Sequence, residues 1–423
     1  MLQIGFIREN EALVIQQLKK RNFEAEALIT QLLETDDQRK KTQQELDQQL
    51  AELNRLSKAI GQLFKEGKTD EASEIKAQTT ALKESSQKLR EQYQHLETEI
   101  KDILYLIPNV PHIDVPEGRD ADANELSDHW GNAPQFDTKP LPHWEIASKY
   151  RLIDFDLGAK ITGAGFPVYI GKGAKLQRAL INFFLDEALN AGFEEVIPPH
   201  LVNEASATGT GQLPDKEGQM YHMATDNLYL IPTAEVPITN IFRDTIINET
   251  DFPIKRVGYT PCFRREAGSY GKDVRGLNRL HQFDKVEIVQ LAHPETSYKV
   301  LDEMVNHVKS LLQKLNLPYR VAKLCAGDLG FTSALTYDME VYSAAQDKWL
   351  EVSSISNFET FQSNRLKIRY KNSEGKSQLA HTLNGSALAL PRILAALLEN
   401  NQTPNGIVIP EALVPYTGFE LIH

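Results

Sequence analysis

The feature that most constrains the fold is a 3.5-residue apolar repeat occupying most of the first hundred residues. Leu28, Leu32, Thr35, Arg39, Thr42, Leu46, Gln49, Leu53, Leu56, Ile60 and Leu63 alternate steps of four and three. Ala72, Ile75, Thr79, Leu82, Ser86, Leu89, Tyr93, Leu96, Ile100, Ile103 and Ile107 do the same. That is the period of a coiled-coil seam. Between the two runs lies Lys65-Glu66-Gly67-Lys68-Thr69-Asp70, in which Gly67 suits a helix C-terminus and Thr69 or Asp70 the next N-cap. So short a turn makes the helices antiparallel. Each has about 35 residues and reaches roughly 50 Å. A shorter amphipathic helix precedes them, from Arg8 to about Arg21. A rod of this kind has no pocket for catalysis. Periodicity alone leaves two readings, an assembly or spacer arm and an arm that reaches a distant partner. Lys58, Lys65 and Lys68 near the tip, and Arg39, Lys40, Lys41 and Arg55 along the shaft, are candidates for phosphate contact.

Pro108, Pro111 and Pro116 end the hairpin. The domains expected are therefore 1–108, the arm, and 109–423, with a linker at about 109–142. Beyond it, a helix fits Lys175 to Asn190, with Leu176, Leu180, Phe183, Phe184 and Ala188 on one face. Strands fit Leu228–Pro232, Arg256–Phe263, Leu280–Val289, Met339–Tyr342 and Leu350–Ile355. Runs of strands closed by helices indicate an α+β domain with a largely antiparallel sheet. No glycine-rich phosphate loop follows any strand, so a nucleotide bound here is held by side chains.

The net charge of −12 disfavours a broad electrostatic grip on nucleic acid, although it permits a local basic stripe. The N-terminal segment lacks the pattern of a secretory signal, and the most apolar stretch, Ala387 to Leu398, is too short to span a bilayer. Cys262 and Cys325 fit reduced thiols of a cytoplasmic protein, with one disulfide possible in principle. No Cys/His cluster has zinc spacing.

Chemistry concentrates in Phe263-Arg264-Arg265-Glu266 at a strand end, followed by the loop Ala267 to Asp273. An Arg-x-Glu on a strand places both side chains on one face. The guanidinium can grip two phosphate oxygens and the carboxylate can accept from an adenine amine. This segment resembles motif 2 of class II aminoacyl-tRNA synthetases. Ala191 to Pro199 resembles motif 1, the dimer-interface element, and His381 to Ser386 running into Pro391-Arg392 resembles motif 3. Thr233-Ala234-Glu235, His281 to Glu287, Glu351-Val352-Ser353-Ser354 and the helical hairpin resemble the seryl branch of that class. The arm and the lack of cysteine zinc ligands separate it from the other branches considered.

The resemblance implies a class II antiparallel sheet flanked by helices, with ATP and Mg2+ at the site. Arg264 and Arg392 would be the catalytic cations, on the α- and γ-phosphates. Arg265, Glu266, Phe283, Val352 and Ser353 would complete the ATP site, with Glu266 on the adenine amine and Phe283 stacked on the ring. Glu351 and Ser354 would hold Mg2+. Thr233, Ala234, Glu235, Glu287, Asn384 and Ser386 would receive L-serine. It also implies a homodimer, tRNA(Ser) and tRNA(Sec) as partners, and no membrane. Asp338 and Glu340, which share a strand face, match no motif and read as structural, as does His281. The resemblance departs at Ala387 and Pro391, where the family usually has glycine; Pro391 fits if it falls in the first turn of a helix.

Overall fold

The structure, a computed structural model, describes residues 1–266 and 275–423. The loop expected at 267–273 lies outside the described residues. The chain forms two compact units: Leu2–Lys19 with Phe23–Pro108, and Met1 with Lys20–Asn22 and Asn109–His423.

In the first unit, α1 (Ile4–Glu9) and α2 (Glu11–Lys20) replace the single helix expected from Arg8 to Arg21. Asn10 divides them; its side-chain amide donates to the Phe6 carbonyl at 3.0 Å, a local bond that competes with helix continuation. The hairpin follows as α3 (Glu26–Lys65) and α4 (Thr69–Leu106). Gly67 takes φ +76° at the turn, a conformation glycine adopts without a Cβ penalty. Neither Thr69 nor Asp70 is the N-cap. Lys68 occupies that position without a side-chain cap bond, and Asp70 and Glu71 fall in the first turn, where their charge complements the helix dipole.

The seam buries Leu32, Thr35, Thr42, Leu46 and Leu56 of α3 and Ala72, Thr79, Ser86, Leu96, Ile100 and Ile103 of α4, as the heptads require. Ile29, rather than Leu28, is the buried residue at its start. Arg39, which interrupts the apolar seam, is accommodated by Asp36. That carboxylate accepts from Arg39 at 2.8 Å, Lys40 at 2.8 Å and Arg8 at 2.9 Å. Burial pushes the Asp36 carboxyl up, but the three cations outweigh it and bring it down to about 2. Arg55 is paired with Glu52 and Lys68 with Glu66, so several basic residues of the arm already have acidic partners.

The second unit is built on an antiparallel sheet, as its strand runs imply. Its strands among the described residues are β1 (Glu125–Trp130), β2 (Glu194–Glu195), β3 (Ile254–Phe263), β4 (Gln282–Ala292), β5 (Tyr319–Lys323), β6 (Leu335–Ser343), β7 (Lys348–Asn357) and β8 (His381–Ala389). Their spatial order is β1-β5-β6-β7-β8-β4-β3-β2, and only β2 with β3 is parallel. The stretch 109–142 thus contributes an edge strand, β1. Its side chains are mostly exposed, so the apolar pattern gives no sign of it; pairing with β5 makes it a strand.

Helix α5 (His143–Lys149) follows, then α6 (Gly171–Asn190), which buries all five residues of its expected apolar face. Each such burial contributes about 1.5–3 kcal/mol for the larger side chains. α7 (Glu235–Asn240) and α8 (Ser297–Lys314) come next, and α9 (Leu390–Asn400) follows β8 directly. Val300, Leu301, Met304, Val308 and Leu311 of α8 recur at helical spacing and enter one core with Ile393, Leu394 and Leu397 of α9. Cys262 and Cys325 are both buried and free. Among the described residues, no helix is long and apolar enough to cross a membrane.

Candidate active site

A cavity of about 530 Å3 opens over the centre of the sheet. Strand β4 lays Phe283, Lys285 and Glu287 along it at every second residue, the spacing that keeps side chains on one face. Phe283 and Glu287 are about 13 Å apart at the rise of a strand. β8 adds Asn384 and Ser386, and Ser386 sits directly opposite Glu287 and donates to it at 3.3 Å.

Glu351 and Ser354 of β7 also line the cavity. Three residues apart, they would face opposite sides of a regular strand. The register shifts between β6 and β7 at this point, with Met339 opposite Ser353 and Glu340 opposite Glu351, so Val352 is an extra residue. The bulge reverses the alternation and brings both side chains to the cavity. Pro391 is the second residue of α9, in its first turn, where a missing N–H is harmless. Arg392 therefore projects from an undistorted helix start. It donates to the Glu351 carbonyl at 2.7 Å and the Asn278 carbonyl at 3.2 Å.

Strand β3 ends at Phe263, so Arg264 to Glu266 do not continue the strand as expected. The Arg264 N–H still reaches the His281 carbonyl at 2.9 Å, but Glu266 turns to φ +49° and leaves the ladder. Arg264 and Glu266 nevertheless both line the cavity. The Arg264 guanidinium lies 5.2 Å from the centre of the Phe283 ring. Glu266 pairs with Arg279, a cation that no sequence motif singled out.

The far end is acidic. Glu287 pairs with Lys285 at 2.5 Å. Glu235, in the first turn of α7, accepts from Gln362 at 2.6 Å and is almost fully buried. Burial, and then the Glu287 charge, push its carboxyl up to about 7, although Gln362 and Lys285 pull the other way. Two carboxylates share one lysine there, so the pocket has room for one more positive charge. Asn384 Nδ2 is buried without a hydrogen-bond partner among the described residues.

Two expected residues are not brought to the cavity wall. Ala234 is fully buried against Ile238 and Val289, and Arg265 is exposed, with its N–H on the Gln219 carbonyl. Ser353 lines the cavity, but its hydroxyl is spent on the Ser386 carbonyl at 2.5 Å. Thr233 lines it too and caps the Glu235 N–H at 3.2 Å. His281 is held between Tyr221 and the Arg264 carbonyl, both at 3.0 Å. Sequence reasoning missed Gln212, Gln219, Asn278, Arg279 and Lys285. Of these, only Lys285 carried a signal, its two-residue alternation with Phe283 and Glu287.

Among the described residues, no cluster of three or more His, Cys, Asp or Glu is arranged to hold a metal alone. The donors offered by Glu351 and Ser354 are oxygens, and Asp338, opposite Ser354, has a buried oxygen without a hydrogen-bond partner. Burial and the Glu351 charge push the Asp338 carboxyl well up. The Arg392 guanidinium lies 3.6 Å from the Glu351 carboxylate, and an all-oxygen set suits Mg2+ shared with phosphate oxygens.

Two family models match the chain, "Seryl-tRNA synthetase N-terminal domain" over residues 1–111 and "tRNA synthetase class II core domain (G, H, P, S and T)" over residues 221–401. The serine–tRNA ligase of Salinibacter ruber is 51% identical, over 100% of this chain and 99% of that relative. The chain belongs to the seryl-tRNA synthetases. Within this family the Thermotoga neapolitana ligase is 46% identical over 100% of both chains. The crystal structure of seryl-tRNA synthetase from Pyrococcus horikoshii complexed with ATP is similar, with a TM-score of 0.92 and 34% identity, over 100% of this chain and 99% of that one. The cytoplasmic serine–tRNA ligase of Naegleria fowleri in complex with AMP gives 0.87 and 27%, over 100% and 98%.

Proposed function

We propose that the protein activates L-serine with ATP to seryl-adenylate, releasing pyrophosphate, and then transfers serine to the 3′-terminal adenosine of tRNA(Ser). The observation that carries this reading is a single cavity with Arg264 and Phe283 at one end of β4 and the under-neutralised Glu235–Glu287 pair at the other. One end suits a nucleotide phosphate and base, the other an ammonium.

The chemistry needs no proton carrier from the protein. The serine carboxylate attacks the α-phosphorus in line and the bond to the leaving pyrophosphate breaks. The terminal hydroxyl of the tRNA then attacks the carbonyl of the adenylate and expels AMP. What the chain supplies is position and charge. Arg264 neutralises the α-phosphate and the attacking carboxylate, and Arg392 the γ-phosphate. Phe283 stacks on adenine and Glu266 accepts from its amine. Glu351 and Ser354 would hold Mg2+, which supplies further neutralisation of the phosphoryl oxygens. Glu235 and Glu287 take the serine ammonium, with Thr233 beside them, and Asn384 and Ser386 read the hydroxyl. Alanine would leave those polar groups unpaired, which discriminates strongly.

The reading extends to a cytoplasmic homodimer with a tRNA-binding arm, residues 1–108, and a catalytic domain, residues 109–423, and to serylation of tRNA(Sec) where one exists. Serine-dependent pyrophosphate exchange, with threonine, alanine and proline as controls, tests the core of it. Exchange with serine alone is expected; exchange independent of serine, or none, rejects it.

A further inference from the structure

The ATP half of the site depends on a piece of chain that no strand holds. Between Arg275 and His281 the backbone is in turns and bends before it enters β4. Yet Asn278 supplies the carbonyl that receives Arg392, and Arg279 is the partner of Glu266. Something other than the sheet ladder must fix this return arm.

A buried network does so. Glu399, on α9 two turns beyond Arg392, has no exposed surface. Its Oε1 accepts from the His143 N–H at 3.0 Å, His143 Nδ1 at 2.7 Å and Gln346 Nε2 at 3.1 Å. Its Oε2 accepts from the Ser343 hydroxyl and, at 3.3 Å, from the Ala345 N–H. Burial pushes this carboxyl up, but the bonds from His143 and Ser343 prevail and hold it below the usual range. From Glu399 two branches reach the return arm. His143 Nε2 accepts the Leu277 N–H at 2.8 Å, which leaves Nδ1 as the protonated nitrogen facing Glu399. Gln346 Oε1 accepts from Asn278 Nδ2 at 2.8 Å. Gly276 lies against the His143 ring at φ +67°; a Cβ there would sit 2.2 Å from Nε2.

We propose that Glu399, acting through His143 and Gln346, is a positioning residue for ATP. It sets residues 277–279 so that the Asn278 carbonyl holds Arg392 and Arg279 holds Glu266. Glu399 and Arg392 share one helix, so the network clamps the return arm to the element that carries the phosphate-binding arginine. A buried charge with five donors costs much to desolvate and is matched only in this one arrangement, which makes it a selective brace. The inference rests on the ATP roles proposed for Arg392 and Glu266.

The test uses full-length Glu399→Gln and Gln346→Ala, with ATP affinity measured by calorimetry and ATP and serine KM by pyrophosphate exchange. A brace displaced by about an ångström predicts ATP binding weaker by roughly ten- to hundredfold in Glu399→Gln, with less loss in Gln346→Ala and little change in serine KM. Should Glu399→Gln fail to fold, Gln346→Ala decides, because it removes one branch and leaves the carboxylate with its other donors. Unchanged ATP affinity, or parallel losses for ATP and serine, overturns the inference. A parent that binds ATP but performs no serine-dependent exchange would instead defeat the functional reading, while the ATP affinities of the variants still judge the brace.

Discussion

The ammonium-binding role proposed for Glu235 predicts that serine recognition depends on pH within the range where most enzymes are assayed. Burial and the neighbouring Glu287 raise it to about 7 in the free protein, whereas a serine ammonium needs the ionised form. Apparent affinity scales with the fraction of competent protein, so serine KM should rise about tenfold between pH 8 and pH 6. Glu235→Gln has no such titration. Its KM should be flat over that interval and, at pH 8, higher than the parent's by about 30-fold or more, since removing one partner of a buried charge pair costs at least about 2 kcal/mol. Stability moves in the opposite direction. A carboxyl raised from 4.5 to about 7 on folding contributes stability that is fully present below 4.5 and is lost as pH rises through 7. At 1.36 kcal/mol per unit the loss is on the order of 3 kcal/mol. Ligand-free Glu235→Gln should therefore melt above the parent at pH 8, by a margin that shrinks towards pH 5. Pyrophosphate exchange at saturating ATP gives the KM profile, and calorimetric scans give the melting order. A parent serine KM that does not change between pH 6 and pH 8 would refute the assignment of Glu235 to the ammonium.

Two further outcomes are expected. Arg264→Ala should lower the kcat of exchange by about 10²- to 10³-fold, the usual worth of a donor aimed at developing charge, and a rise in ATP KM with unchanged kcat would move Arg264 from the reacting phosphate to simple binding. Deleting residues 28–103 should leave exchange near the parental rate while abolishing aminoacylation of tRNA(Ser), and surviving aminoacylation would remove the arm's proposed role.

Most of the fold was legible because its signals are local and repeated. The arm follows from a period sustained over several heptads, and the face of α6 from apolar residues at helical spacing. Even so, the arm's Asp36 was invisible to pattern reading. A carboxylate just beside the seam looks solvated until Arg8, from α1, closes over it with Arg39 and Lys40. The edge strand β1 was hidden for a related reason: its exposed residues carry no alternation, and only its partner β5 defines it.

The sequence by itself determined the helical hairpin, the strand-rich second unit and the residue types of a nucleotide-and-amino-acid site, because periodicity and short motifs are properties of neighbouring residues. Only the tertiary structure decided which of those residues meet. The extra residue at Val352 turns Glu351 and Ser354 to one side, the left-handed turn at Glu266 sends its carboxylate to Arg279, and Glu399 reaches His143 across 256 positions. Strand register and buried polar pairing depend on partners brought together by the whole fold, and no local stretch of chain carries that information.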